Sequence, residues 1–185
     1  HAHSDHTHGL DDLRMIVFNM RRRLPVWADG PTQEALFTRF SYAFVQPPGS
    51  AYPPILEMNT IDGPVTIDGA GGPVTLTPFE VEHGTIDALG FRVGDLAYLP
   101  DANAIPAESW PLLEGLDCWI VDALRRAPHP SHAHLEMTLD WIARARPRRA
   151  ILTNMHIDLD HATVAAETPE HITPAHDGLT IAYPL

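Results

Sequence analysis

The chain has 185 residues and a formal charge of −12 at neutral pH, with 24 acidic against 12 basic side chains. That size is within reach of one domain, and no apolar run approaches the ~20 residues a membrane helix needs. The acidic balance argues against a long nucleic acid, whose phosphate backbone is bound by clusters of Lys and Arg. The single cysteine, Cys118, excludes an internal disulfide and fits a reducing compartment, so a cytoplasmic location is expected.

The first nine residues, His1-Ala2-His3-Ser4-Asp5-His6-Thr7-His8-Gly9, hold His1, His3, Asp5 and His6 within six positions. Neutral imidazole and carboxylate together suit zinc, manganese or iron. One metal cannot take all four from so tight a turn. Two metals side by side can, with His1 and His3 facing one ion and Asp5 and His6 the other. A terminal amine with His3 would chelate copper or nickel, but that leaves Asp5 and His6 without a role.

Gly9 is expected to let the backbone turn, and Asp11 or Asp12 to cap a short helix through Met20. Arg21-Arg22-Arg23 reads as the cationic end of that helix. Leu24 to Trp27 reads as a short buried strand, and Asp29-Gly30-Pro31 as a turn. Thr32 is expected to cap a second helix through Ala43. From Tyr52 to Pro100 the texture changes to short β-like runs broken by Gly and Pro: 55–58, 65–67, 74–78, 79–82, 88–93 and 96–99. These predict a mostly antiparallel meander. His83 and Asp101 lie just past two of the runs.

The last third alternates strand and helix. The sequence predicts a helix over 107–113, a buried strand over 119–121 and an amphipathic helix over 134–145 carrying Leu135, Leu139 and Ile142. A buried strand over 150–153 follows, then Asn154-Met155-His156, a short helix over 163–167 and a closing strand over 179–183. Cys118 falls in an apolar strand and reads as structural. Layered α and β of this kind implies helices packed outside sheets. His83, Asp101 and His156 each end a β-like run, where sites form in layered α/β proteins.

The pattern H-x-H-x-D-H-x-x-G, followed by a His, an Asp and a His at strand ends, resembles the metallo-β-lactamase-fold hydrolases. The local sequences 6–14, 81–84, 99–101 and 152–160, with Val121-Asp122-Ala123-Leu124-Arg125 and His129-Pro130-Ser131-His132, look like its phosphodiesterase branch. That branch includes phosphoribosyl 1,2-cyclic phosphate phosphodiesterase. The resemblance implies an αββα sandwich over the single domain 1–185. The β-strands that open this fold do not precede the His loop, so an N-terminally incomplete domain of low intrinsic stability is expected. The resemblance also implies two divalent ions, Zn, Mn or Fe. His1, His3 and His83 would hold one, Asp5, His6 and His156 the other, and Asp101 would bridge them.

The implied reaction is hydrolysis of a small cyclic or nucleotide-like phosphate through a metal-bridging hydroxide. Asp5 and His132 are the implied catalytic side chains, with His132 contacting phosphate or protonating the leaving oxygen. His129 is a weaker candidate, and Asp122 either orients a neighbour or ends its strand. The alternatives are a thioester or lactone hydrolase of the same fold and a metal-binding domain without turnover. The expected partner is a small phosphate ester, with a homodimer left open and no membrane. His8, His134, His161, His171 and His176 read as ordinary surface residues.

Overall fold

The computed structural model describes residues 1–183, which divide into two compact units, one over His1–Gly63 and one that starts at Pro64. No helix among the described residues is long and apolar enough to cross a membrane.

In the first unit the His-rich motif opens a run of helical turns. These are α1 (Ser4–Thr7), a 3-10 turn (His8–Leu13) and α2 (Arg14–Met20). Gly9 lies inside the 3-10 turn without a left-handed φ, so the turn comes from short i+3 pairing and not from glycine's freedom. Arg21 closes α2 with a left-handed φ of 53°. β1 (Leu24–Ala28) and β2 (Leu56–Thr60) pair in parallel, and α3 (Gly30–Phe44) crosses between them.

The sequence placed a turn at Asp29–Pro31, but those residues start α3. The Asp29 carboxylate accepts from the Thr32 amide at 3.1 Å, so Asp29 is the cap, and Pro31 sits in the first turn where its missing N–H costs nothing. Two strands alone are marginal. Here Leu36, Phe44, Ile55 and Leu56 bury against one another, Leu56 completely. Each such side chain contributes roughly 1.5–3 kcal/mol.

The second unit is one sheet of seven strands in sequential order: β3 (Val65–Gly69), β4 (Gly72–His83), β5 (Ile86–Val93), β6 (Leu96–Leu99), β7 (Cys118–Asp122), β8 (Arg149–Thr153) and β9 (Ile172–Pro174). The expected meander is present as β3 to β6, all antiparallel, while β6 to β9 are parallel. The runs 74–78 and 79–82 form one strand. β3 covers β4 only as far as Leu76, so Pro78 occupies an edge position where no ladder bond to β3 is lost.

The helix expected over 107–113 is reduced to a 3-10 turn, Trp110–Leu113, because Pro111 removes a helical donor. No strand forms over 179–183. The closing strand is β9, which is only three residues long and ends on proline, a weak signal in sequence. α5 (His161–Glu167) begins two residues before Thr163, with Asp160 as its cap at 2.9 Å from the Thr163 amide.

β7 and β8 are largely buried, as parallel strands require, with Trp119, Val121, Ala150 and Leu152 fully inaccessible on one face and Ile151 buried on the other. Cys118 is also fully inaccessible, and burial pushes its thiol pKa up, in keeping with a structural role. α4 (Leu135–Ala145) turns Leu135, Thr138 and Ile142 toward this core and is pinned to the end of β7 by Thr138 Oγ1 donating to the Asp122 carbonyl at 2.6 Å.

Candidate metal centre

The register of the parallel strands decides which side chains meet. Leu99 pairs with Val121 and Val121 with Leu152, so Asp101, Asp122 and Asn154 leave the same end of the sheet at neighbouring positions. β4 runs in the direction of β6, because both are antiparallel to β5, and so its last residue, His83, reaches that end too.

There His83, Asp101 and His132 each offer a ligand atom, and the three atoms lie within 4.8 Å of one another. His83 is 2% exposed and Asp101 4% exposed. His83 Nδ1 sits 2.6 Å from the Ser131 carbonyl, which accepts its proton, so Nε2 is the nitrogen that could hold a metal. The rings of His83 and His132 are 4.6 Å apart, edge to face.

His132 is held in turn. Its Nδ1 donates to Asp122 Oδ2 at 2.9 Å, and the same oxygen accepts from the Ala102 and Ala133 amides at 3.3 Å each. Burial raises the Asp122 carboxyl pKa, and the hydrogen bond from His132 works against that rise. His129 Nδ1 accepts from the Ser131 amide at 3.3 Å, and its ring lies 5.3 Å from that of His132. Burial, with Arg125 and His132 nearby, pushes the His129 pKa down. Arg125 braces this loop by donating to the carbonyls of Ala127 and Pro128.

In the first unit, the ring of His1 lies 4.6 Å from that of His3 and 4.4 Å from that of His6. His6 Nε2 is 3.5 Å from Asp5 Oδ2. The loop is tied locally. Thr7 Oγ1 donates to the His3 carbonyl at 2.9 Å, Arg39 of α3 donates to the Ala2 carbonyl, and His8 meets the Phe40 ring. In the second unit the His156 side chain is 58% exposed, with Nδ1 3.1 Å from Asp158 Oδ1.

Three residues at the second-unit cluster carried no chemical signal in sequence. Asn103 accepts from the Gly84 amide at 3.0 Å and donates to the Pro130 carbonyl at 2.9 Å, joining the His83 turn to the His132 loop. Ser131 acts through its carbonyl, which any residue type would supply. Asn154 reaches both carboxylates. Gly84 itself has φ +73°, and a Cβ there would lie 2.8 Å from Ser131 Cβ. Gly84→Ala is therefore expected to cost about 1–2 kcal/mol in backbone strain. By moving Ser131 off His83 it should also weaken zinc retention roughly 10–100-fold. Chelator competition and a thermal melt on the same sample would measure both, and unchanged zinc affinity would contradict the Ser131 brace.

Buried imidazole and carboxylate converging at strand ends, with their other atoms engaged by the protein, are the makings of a metallohydrolase. A family model described as a beta-lactamase superfamily domain matches residues 1–157, and the chain belongs to that family. Its fold is that of the metallo-β-lactamases, a fold of metal-binding hydrolases, and candidate His and Asp metal ligands are gathered in it.

A crystal structure described as a new diphosphatase from the PhnP family is 32% identical, with a TM-score of 0.87 over 100% of this chain and 70% of that one. The metallo-β-lactamase-fold protein YhfI of Bacillus subtilis is 18% identical with a TM-score of 0.74, over 97% of this chain and 73% of that one, and shows the fold alone. An octanoyltransferase of Porphyromonas gingivalis is 31% identical over an alignment of 186 positions that covers 97% of this chain. This chain spans only about a third of that curated relative's length, 36%.

Proposed function

We propose that the chain hydrolyses a phosphodiester or diphosphate linkage in a small cyclic or nucleotide-like substrate. The observation that carries this reading is the Asp122-oriented imidazole of His132, set beside His83 and Asp101. A phosphate has more oxygens than a pair of ions need contact, and a further positioned donor serves them. The whole-length similarity to a diphosphatase supports the same class of bond.

The donor set fits divalent metal. The His83 tautomer is fixed with Nε2 as the ligand nitrogen, Asp101 is a buried carboxylate, and neutral imidazole with carboxylate suits Zn, Mn or Fe. On this reading His1, His3 and His83 would hold one ion and Asp5, His6 and His156 the other, with Asp101 available to both. When bound, such a pair supplies Lewis acidity and a nucleophile at neutral pH. The chain's own contribution is to place the substrate and move protons. Asp122 keeps the His132 proton on Nδ1, so Nε2 is the atom that contacts phosphate or hands a proton to the leaving oxygen. Asp5, 74% exposed in its side chain and beside His6, is the second side chain assigned to catalysis.

Hydrolysis of a thioester or lactone is the competing reading, and the octanoyltransferase match is the observation in its favour. The test is elemental analysis of the purified chain, then assays on bis(p-nitrophenyl) phosphate, a nucleoside diphosphate ester and an octanoyl thioester. Two metal equivalents with turnover of the phosphate substrates is the expected result. Turnover of the thioester alone would overturn the phosphate reading, and metal without any turnover would favour a binding domain.

A further inference from the structure

Asn154 has a backbone that residues other than glycine seldom adopt and a side chain aimed at the centre. Its φ is +60°, just past the end of β8. Its side-chain amide nitrogen lies 3.3 Å from Asp101 Oδ1, 3.4 Å from Asp122 Oδ1, 3.4 Å from the Pro100 carbonyl and 3.3 Å from His132 Nδ1. Three of these four neighbours are oxygens that only accept, so the NH2 end of the amide belongs there and not the carbonyl end. The two buried carboxylates would otherwise face one another across this space, and like charges at that range repel. A neutral group with two donors lies between them.

We propose that Asn154 is a positioning residue that couples the metal-facing carboxylate of Asp101 to the Asp122–His132 pair. Donation to Asp101 Oδ1 sets the rotation of that carboxylate, and contact with Asp122 Oδ1 leaves Oδ2 to His132. One side chain thus fixes both a metal ligand and the group that handles the proton. The left-handed backbone is what directs the amide back over the strand ends. Asn is among the few side chains other than glycine found there at modest cost. This inference rests on the metal-hydrolase reading above.

The test uses three variants of the metal-loaded chain. Asn154→Gly accepts the positive φ and removes the amide, Asn154→Ala removes the amide and strains the backbone, and Asn154→Asp keeps the shape but has no donor. The readouts are zinc affinity by chelator competition, kcat and KM separately on bis(p-nitrophenyl) phosphate, and thermal stability. Asn154→Gly is expected to melt within a few degrees of the parent, to bind zinc about 10–100-fold more weakly and to lose turnover by a similar factor with little change in KM. Asn154→Asp is expected to lose turnover as the glycine variant does.

A backbone role alone predicts instead that Gly behaves as the parent and Ala does not, and that pattern would overturn the proposal. Full turnover in Asn154→Asp would overturn it too, because shape without donors would then suffice. If the parent chain itself holds no metal, the failure belongs to the metal-hydrolase reading, and a parent that binds and hydrolyses while Asn154→Gly matches it isolates the failure to this inference.

Discussion

Asp101→Ala is expected to lose bound metal and hydrolysis together. Asp101 is 4% exposed, follows the Leu99–Pro100 end of β6, and shares a ligand cluster with His83 and His132. Changing a residue that merely braces a ligand costs about 10–100-fold in affinity or activity, so losing the carboxylate itself should exceed the upper end of that range. The fold should survive. A buried carboxylate is costly to desolvate, and the Asp101 charge also helps raise the Asp122 carboxyl pKa, so its removal relieves both effects in the metal-free protein. The metal-free variant should therefore melt no lower than the metal-free parent, while the parent alone gains stability when zinc is added. Zinc retention by Asp101→Ala at parental affinity would remove Asp101 from the ligand set.

The two halves of the fold differed in how much they showed in sequence. The meander was plain, because Gly and Pro turns punctuate β3 to β6 and alternation sets their faces. The parallel half was legible as buried runs at 119–121 and 150–153, but their register was not, and register is what brings Asp101, Asp122 and Asn154 to one end. Helix starts were shifted where an aspartate outcompeted the expected threonine, at Asp29 and Asp160. In the site, the histidines and Asp101 stood out because so dense a set of imidazoles and carboxylates suits little besides a metal. Asn154, Asn103 and Ser131 did not, since an Asn after a strand reads as a turn and a backbone carbonyl has no sequence signature. His132 was legible only as a histidine in a proline-stiffened loop, and its bond to Asp122 spans ten residues that no periodicity links.

That bond makes the second large prediction specific. His132→Ala should leave metal content unchanged and lower turnover of a phosphodiester by roughly 10²–10⁴-fold, the usual contribution of a positioned acid or base. The His132 side chain is 18% exposed, enough to meet a substrate, while Asp122 is fully buried beneath it. Asp122 Oδ2 is gripped by two backbone amides as well as the ring, so the carboxylate cannot swing to follow a displaced imidazole. Asp122→Asn keeps the volume and the amide contacts but weakens the hold on the Nδ1 proton. It should therefore lower turnover by a smaller factor, about 10–100-fold, again with metal retained. If His132 and Asp122 act as one unit, the double variant should be no slower than His132→Ala alone, since the aspartate works only through the ring. Loss of metal in His132→Ala would instead make His132 a ligand, in keeping with its place within 4.8 Å of the His83 and Asp101 ligand atoms. Full phosphodiesterase activity in His132→Ala would take away the observation on which the phosphate reading rests, and the thioester assay would then become the one to pursue.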